Sequence, residues 1–321
     1  MSNSLTLGID LGGTKILTAV VDAQGKILAW DNSETPAEKG PEAVISAMTA
    51  SAGRAMDGAR VGLEDIDAVG IGAPGPSNPE KGILFTSPNL PGWQNIAVTE
   101  TFENKFNKRV FLINDANAAA LAEHRYGAAT GLRHVIYITI STGIGGGIII
   151  DGNLYTGAIG TAAELGHMTI NDEGPLCNCG NFGCWEALAS GTALEREARR
   201  RIREGTRTTI PRYVVNHDEI DAKSIYQAAL EGDGLAMELI ETTGYYFGVG
   251  LANLLNMFNP EMIVIGGGLS NMGDMLLDPA IKTAKARSYA VAFASVRFAP
   301  AKLGKNSGVL GAAAFAREKL Q

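Results

Sequence analysis

The stretch Leu5-Thr6-Leu7-Gly8-Ile9-Asp10-Leu11-Gly12-Gly13-Thr14-Lys15-Ile16-Leu17-Thr18-Ala19-Val20-Val21 decides the fold. An apolar run to Ile9, a glycine turn and a β-branched run from Ile16 to Val21 predict a hairpin. The arrangement recurs at Val135 to Ile140, then Ser141-Thr142-Gly143-Ile144-Gly145-Gly146-Gly147, then Ile148 to Ile150. The next turns correspond too, Val21-Asp22-Ala23-Gln24-Gly25-Lys26 matching Ile150-Asp151-Gly152-Asn153-Leu154. This internal echo predicts two related domains, each opening with the same unit.

The 40 glycines in 321 residues exceed the ~7% of average usage, and they gather at strand ends rather than in linkers. Glycine lets backbone N–H groups approach a phosphate with no Cβ in the way, while Thr14, Lys15 and Thr142 add hydroxyl and ammonium donors. Either turn alone reads as a plain hairpin. Two facing each other form a clamp for a nucleotide triphosphate, with Asp10 available to hold a Mg²⁺ shell. Neither turn carries G-x-x-x-x-G-K-[ST], and Ile148 breaks a G-x-G-x-x-G pattern after Gly143, so P-loop and Rossmann readings both fail. A third turn, Gly266-Gly267-Gly268, ends the apolar run from Met262; it reads as a bare-backbone face for an adenosine ring or as a tight strand-to-helix connection.

The cysteines Cys177, Cys179 and Cys184 lie close together, with His167 upstream. Three thiolates and one imidazole complete a tetrahedron for Zn²⁺, so the metal is expected to be structural, with the chemistry elsewhere. Gly180 and Gly183 allow the loop to fold back. Free or redox-active cysteines are the alternative. Glu164 and Glu186 flank the ligands, suited to accept sugar hydroxyls or to orient the histidine.

Val110 to Ile113 reads as a strand, Ala118 to Tyr126 as an alanine-rich helix, and Asp115 falls between them. In open α/β sheets that edge binds ligands, and a carboxylate there can take a hydroxyl proton during phosphoryl transfer; a helix N-cap is the competing reading. The loops Gly72-Ala73-Pro74-Gly75-Pro76 and Thr86-Ser87-Pro88-Asn89-Leu90 also follow apolar runs, and on their own residues they are turns.

A formal charge of −7 argues against a general nucleic-acid binder. The six arginines from Arg196 to Arg207 read as the solvated face of a helix. No run reaches the ~18 apolar residues of a membrane span and no basic segment precedes an apolar one at the start, so a cytoplasmic protein with reduced thiols is expected.

With these residues in place the chain resembles the ROK group of repressors and sugar kinases, over essentially its whole length, and most of all its bacterial glucokinases. Asp10 to Lys15 (with Gly12, Gly13 and Thr14) and Ser141 to Gly147 are similar to the family's two phosphate loops, and Gly266 to Gly268 to its adenosine loop. The segment from Glu164-Leu165-Gly166-His167 through Cys184-Trp185-Glu186 resembles its zinc signature. The resemblance implies that Asp115 is the catalytic base, and that Gly75, Asn89, Asn114, Asp115, Glu164, His167 and Glu186 hold the hexose. It implies an α/β actin-like ATPase fold, ribonuclease H-like, of two α/β domains around a cleft. The first would be residues 1–116 with a returning helix in 300–321, and the second 117–299. It further implies ATP, Mg²⁺ and a structural Zn²⁺, a homodimer, and phosphorylation of glucose O6. A kinase for N-acetylglucosamine or N-acetylmannosamine is the alternative. A sugar-responsive repressor is a more distant rival, because nine residues before Asp10 leave no room for a DNA-reading domain.

Overall fold

The computed structural model describes residues 4–87 and 89–320. By their internal contacts these form two compact units: those within residues 4–137, 147–163 and 301–320 make the first, and those within 138–146 and 164–300 the second. The division differs from a boundary at residue 116, because the helix after that point packs on the first sheet.

In the first unit the hairpin forms as the sequence predicts. Strand β1 (Leu5–Leu11) turns at Gly12 and Gly13 into antiparallel β2 (Lys15–Val21), which pairs with β3 (Ile27–Glu34). Helix α1 (Pro41–Ala59) follows. Pro41 opens it, where a missing N–H costs nothing, and Val44, Met48, Ala52 and Ala55 form its buried stripe at helical spacing. Arg60, in the left-handed conformation, closes it. Strand β4 (Ile66–Ala73) then pairs parallel to β1, and a small sheet of β5 (Ser77–Asn78), β6 (Ile83–Thr86) and β7 (Gln94–Ala97) intervenes. Helix α2 (Val98–Phe106) leads to β8 (Val110–Asn114), parallel to β4, and helix α3 (Asp115–Tyr126). The main sheet has the order β3-β2-β1-β4-β8.

One face of this sheet packs on α1 and α2 through Leu7, Ile9, Ile71, Met48 and Phe102, all fully buried; each contributes about 1.5–3 kcal/mol by leaving water. The other face is covered by α3 and the C-terminal helix Ser307–Leu320. That helix lies against the backbone of β4: a Cβ on Gly70 would stand 1.9 Å from the Ala312 carbonyl oxygen. Buried Glu123 of α3 secures the chain entering the helix, accepting the N–H groups of Ala128, Lys302 and Leu303 at 2.7–2.8 Å.

The second sheet, β11-β10-β9-β12-β13, repeats the strand order of the first. Its members are β9 (Val135–Ile140), β10 (Ile144–Ile150), β11 (Asn153–Tyr155), β12 (Met262–Gly266) and β13 (Arg297–Pro300), the last two parallel. The matching order supports the duplication read from the two hairpins. The helices of the second unit are α4 (Trp185–Ala189), α5 (Gly191–Arg203), α6 (Ala222–Leu230), α7 (Gly234–Phe258), α8 (Asp274–Arg287) and α9 (Ala290–Ser295). Among the described residues no helix is long and apolar enough to cross a membrane.

Candidate functional site

Asp10 is the penultimate residue of β1, facing Gly72 of β4, which in turn faces Ile113 of β8. Asp10 and Asp115 therefore emerge at the same end of the sheet, with glycine on the strand between them. Burial, and then the charge of Asp115, raise the Asp10 carboxyl from 3.8 to about 7. A bound cation would offset both causes, so this carboxyl fits a place in a Mg²⁺ shell.

The N-cap of α3 is Asn114, whose Oδ1 accepts the N–H groups of Ala116 and Asn117 at 3.0 and 3.1 Å. Its Nδ2 donates to the Gly75 carbonyl at 3.4 Å, so two of the proposed sugar-contacting positions touch each other. Asp115 is then the first helical residue, its Oδ1 accepting the Ala116 N–H at 2.8 Å, at the positive end of the helix dipole. The helix begins three residues earlier than Ala118 because this cap recruits them.

In the first glycine turn the Gly12 N–H donates to the Lys15 carbonyl at 2.9 Å. Thr35 donates its N–H to the Thr14 carbonyl and its hydroxyl to the Gly12 carbonyl. The turn's carbonyls are thus drawn back toward Thr35, a residue the sequence reading did not single out, while Gly13 and Thr14 keep N–H groups with no backbone partner among the described residues. Thr14 and Lys15 are exposed. A Cβ on Gly13 would lie 2.6 Å from that of Asn89, so the Asn89 loop adjoins this turn; Pro88 of that loop lies outside the described residues.

The second turn repeats the device within the second unit. The Ser141 carbonyl accepts the Gly191 N–H at 2.7 Å, the Thr142 carbonyl accepts both the N–H and the hydroxyl of Thr192, and the Gly143 carbonyl accepts the Ser141 N–H. With three carbonyls strapped inward, the N–H groups of Thr142 and Gly143 have no backbone partner among the described residues, as an anion cradle requires. The turn is shorter than the sequence suggests. Gly145, Gly146 and Gly147 belong to strand β10, and Gly147 is bare because α3 presses on it: a Cβ there would be 2.4 Å from that of Ala120. Gly266 ends β12, and Gly267, at φ +91°, passes so near β9 that a Cβ would lie 2.3 Å from the Ile140 carbonyl oxygen. Gly268 stands beside Ser141, so the third turn does adjoin the second.

His167, Cys177, Cys179 and Cys184 converge, their ligand atoms all within 4.8 Å of one another. Cys179 Sγ to Cys184 Sγ and Cys177 Sγ to His167 Nδ1 are each 3.6 Å. These separations are too long for a disulfide and suit a tetrahedron with ~2.3 Å metal–sulfur bonds. Gly180 and Gly183, both at positive φ, fold the loop back as the sequence implies. The donor set fits Zn²⁺.

The loop leaves Cys184 straight into α4, and there a residue missed in the sequence takes over. Trp185 is fully buried, stacks on Phe247 at 5.2 Å, and donates its Nε1 hydrogen to the Tyr246 carbonyl at 3.0 Å. Its ring lies on Gly250, where a Cβ would be 2.1 Å away. Trp185 so holds its neighbours Cys184 and Glu186 to α7. Glu186 Oε2 accepts the Ile144 N–H at 2.8 Å. Partial burial raises the Glu164 carboxyl, with the charge of His167 opposing the rise and that of Glu186 reinforcing it.

Known proteins share this architecture. Residues 6–319 match the ROK family. The glucokinase of Streptomyces coelicolor is 41% identical over 318 residues that cover 98% of each chain. The crystal structure of the ROK hexokinase from Thermus thermophilus superposes with a TM-score of 0.83 at 36% identity, covering 98% of this chain and 99% of that one. A ROK family glucokinase from Streptomyces griseus, in complex with glucose and AMPPNP, gives 0.81 at 36% identity, covering 98% of this chain and all of that one. The α/β architecture is thus the actin-like ATPase fold of ROK kinases, and the chain belongs to the ROK family.

Proposed function

We propose that this chain is an ATP-dependent glucokinase, transferring the γ-phosphoryl group to O6 of glucose. The observation that carries the reading is the repeated turn construction. Carbonyls are strapped to Thr35 in one turn and to Gly191 and Thr192 in the other, leaving amides to receive phosphate oxygens. The kinship with glucokinases agrees with it.

In this reading Gly12, Gly13, Thr14 and Lys15 take one part of the triphosphate and Ser141, Thr142 and Gly143 another, with Gly145 to Gly147 supporting from their strand. Gly266, Gly267 and Gly268 face the adenosine. Gly75, Asn89, Asn114, Glu164, His167 and Glu186 hold the hexose. Asp115 takes the O6 proton as O6 bonds to the γ-phosphorus and the bond to the β–γ bridging oxygen breaks, releasing ADP. Asp10 would help to hold Mg²⁺, which supplies neutralisation of phosphate charge when bound. His167, Cys177, Cys179 and Cys184 would hold Zn²⁺ as a structural pin for the segment carrying Glu164 and Glu186. A homodimer in the cytoplasm belongs to the same proposal.

An ADP-release assay across hexoses and N-acetylhexosamines tests it. Turnover with glucose well above the others supports glucokinase; preference for an N-acetylhexosamine transfers the assignment to that acceptor; no ADP with any sugar removes the kinase reading.

A further inference from the structure

Glu186 occupies an unusual place: one of its oxygens is committed to the second glycine turn. Oε2 accepts the Ile144 N–H at 2.8 Å, and the carboxylate fills the space a side chain would take at Gly143, since a Cβ there would lie 2.2 Å from Oε2. Oε1 stands farther off, 3.7 Å from the same point. Among the described residues the carbonyls of Ser141 and Thr142 are held from the α5 end, by Gly191 and Thr192. The carboxylate therefore grips the end of the turn from which β10 departs, while Trp185 prevents its backbone from drifting.

We propose that Glu186 is a positioning residue for the phosphate turn as well as a sugar ligand, so that glucose binding tightens nucleotide binding through this one carboxylate. The proposal rests on the sugar-binding role given to Glu186 above. A hexose hydroxyl donating to Oε1 fixes the carboxylate, and the fixed Oε2 holds the Ile144 N–H and the adjacent amides of Thr142 and Gly143 in the orientation that receives phosphate. Ordering that glucose has already imposed need not be imposed again by the nucleotide, which is positive coupling without a large movement. Coupling of this kind is reciprocal.

The test is calorimetric titration of the full-length protein with Mg²⁺-AMPPNP, with and without saturating glucose, and of glucose with and without AMPPNP. In the native protein glucose is expected to tighten AMPPNP binding by about 5–50-fold, within the usual range of coupling between sites. In Glu186→Ala the glucose Kd without nucleotide rises and the coupling factor falls to near one. Gly143→Ala leaves the carboxylate present but displaces it, and the coupling factor collapses there too, with circular dichroism confirming that both variants fold. If Glu186→Ala leaves the glucose Kd unchanged, the sugar-ligand reading fails. If glucose binding weakens while both variants keep native coupling, the sugar role stands and the positioning role is overturned.

Discussion

Asp115 holds Asp10 toward its protonated form: after burial, its charge is the next cause that raises the Asp10 carboxyl to about 7. An unfolded chain would ionise this group near 3.8. Between those values the folded state binds more protons than the unfolded one, so this group's contribution to stability falls as pH rises from about 4 to 7 and then levels off. In nucleotide-free protein without divalent ions, Asp10→Asn should remove that loss. Urea denaturation is expected to show the variant more stable than the native chain by a few kcal/mol at pH 8, with the gap closing toward pH 4. Parallel stability curves for the two proteins would mean that Asp10 does not titrate in this range.

Asp115→Asn keeps the shape at the start of α3 and removes the proton acceptor. Turnover is expected to fall by about 10²–10⁴-fold, the usual contribution of a general base, with glucose affinity within a few-fold of native. Steady-state kinetics paired with calorimetry of glucose binding decide it; a native kcat would take the base role from Asp115.

Much of this was legible in the sequence. The hairpins, the strand before Asn114 and the Cys/His loop follow from periodicity, glycine placement and cysteine spacing, which are local signals, whereas the returning C-terminal helix was implied only by the family resemblance. What was not legible depends on pairing across the chain. Thr35 and Thr192 look like ordinary polar residues until folding brings them against turn carbonyls. Gly147 reads as part of the phosphate turn until α3 is seen pressing on it. Trp185 looks like a generic core residue until α7 supplies both its stacking partner and its hydrogen-bond acceptor.

Cys179 is the exposed member of the Cys/His cluster, so its replacement disturbs packing least while removing one of the four donors. Cys179→Ser is expected to lower zinc content measured by elemental analysis, weaken zinc affinity at least tenfold, reduce Tm, and raise the glucose Kd. Loss of zinc with native glucose affinity would place the cluster's influence away from the sugar.

Gly250→Ala puts a methyl group where the Trp185 ring lies, with 2.1 Å between them. Overpacking of this kind costs about 1–3 kcal/mol in denaturant unfolding. Because Trp185 is bonded to Glu186, the KM for glucose should rise several-fold as well. A variant that is less stable yet binds glucose normally would show that the indole does not transmit its position to the neighbouring carboxylate.

The helix Ser307–Leu320 completes the first sheet, yet it is synthesised after the whole of the second unit. On the ribosome the face around Gly70 therefore lacks this cover while the second unit is being made, so the first unit cannot reach its final state before the second has been synthesised. Nascent chains stalled before Ser307 would present that apolar face to chaperones, and their release from them would date the moment of closure.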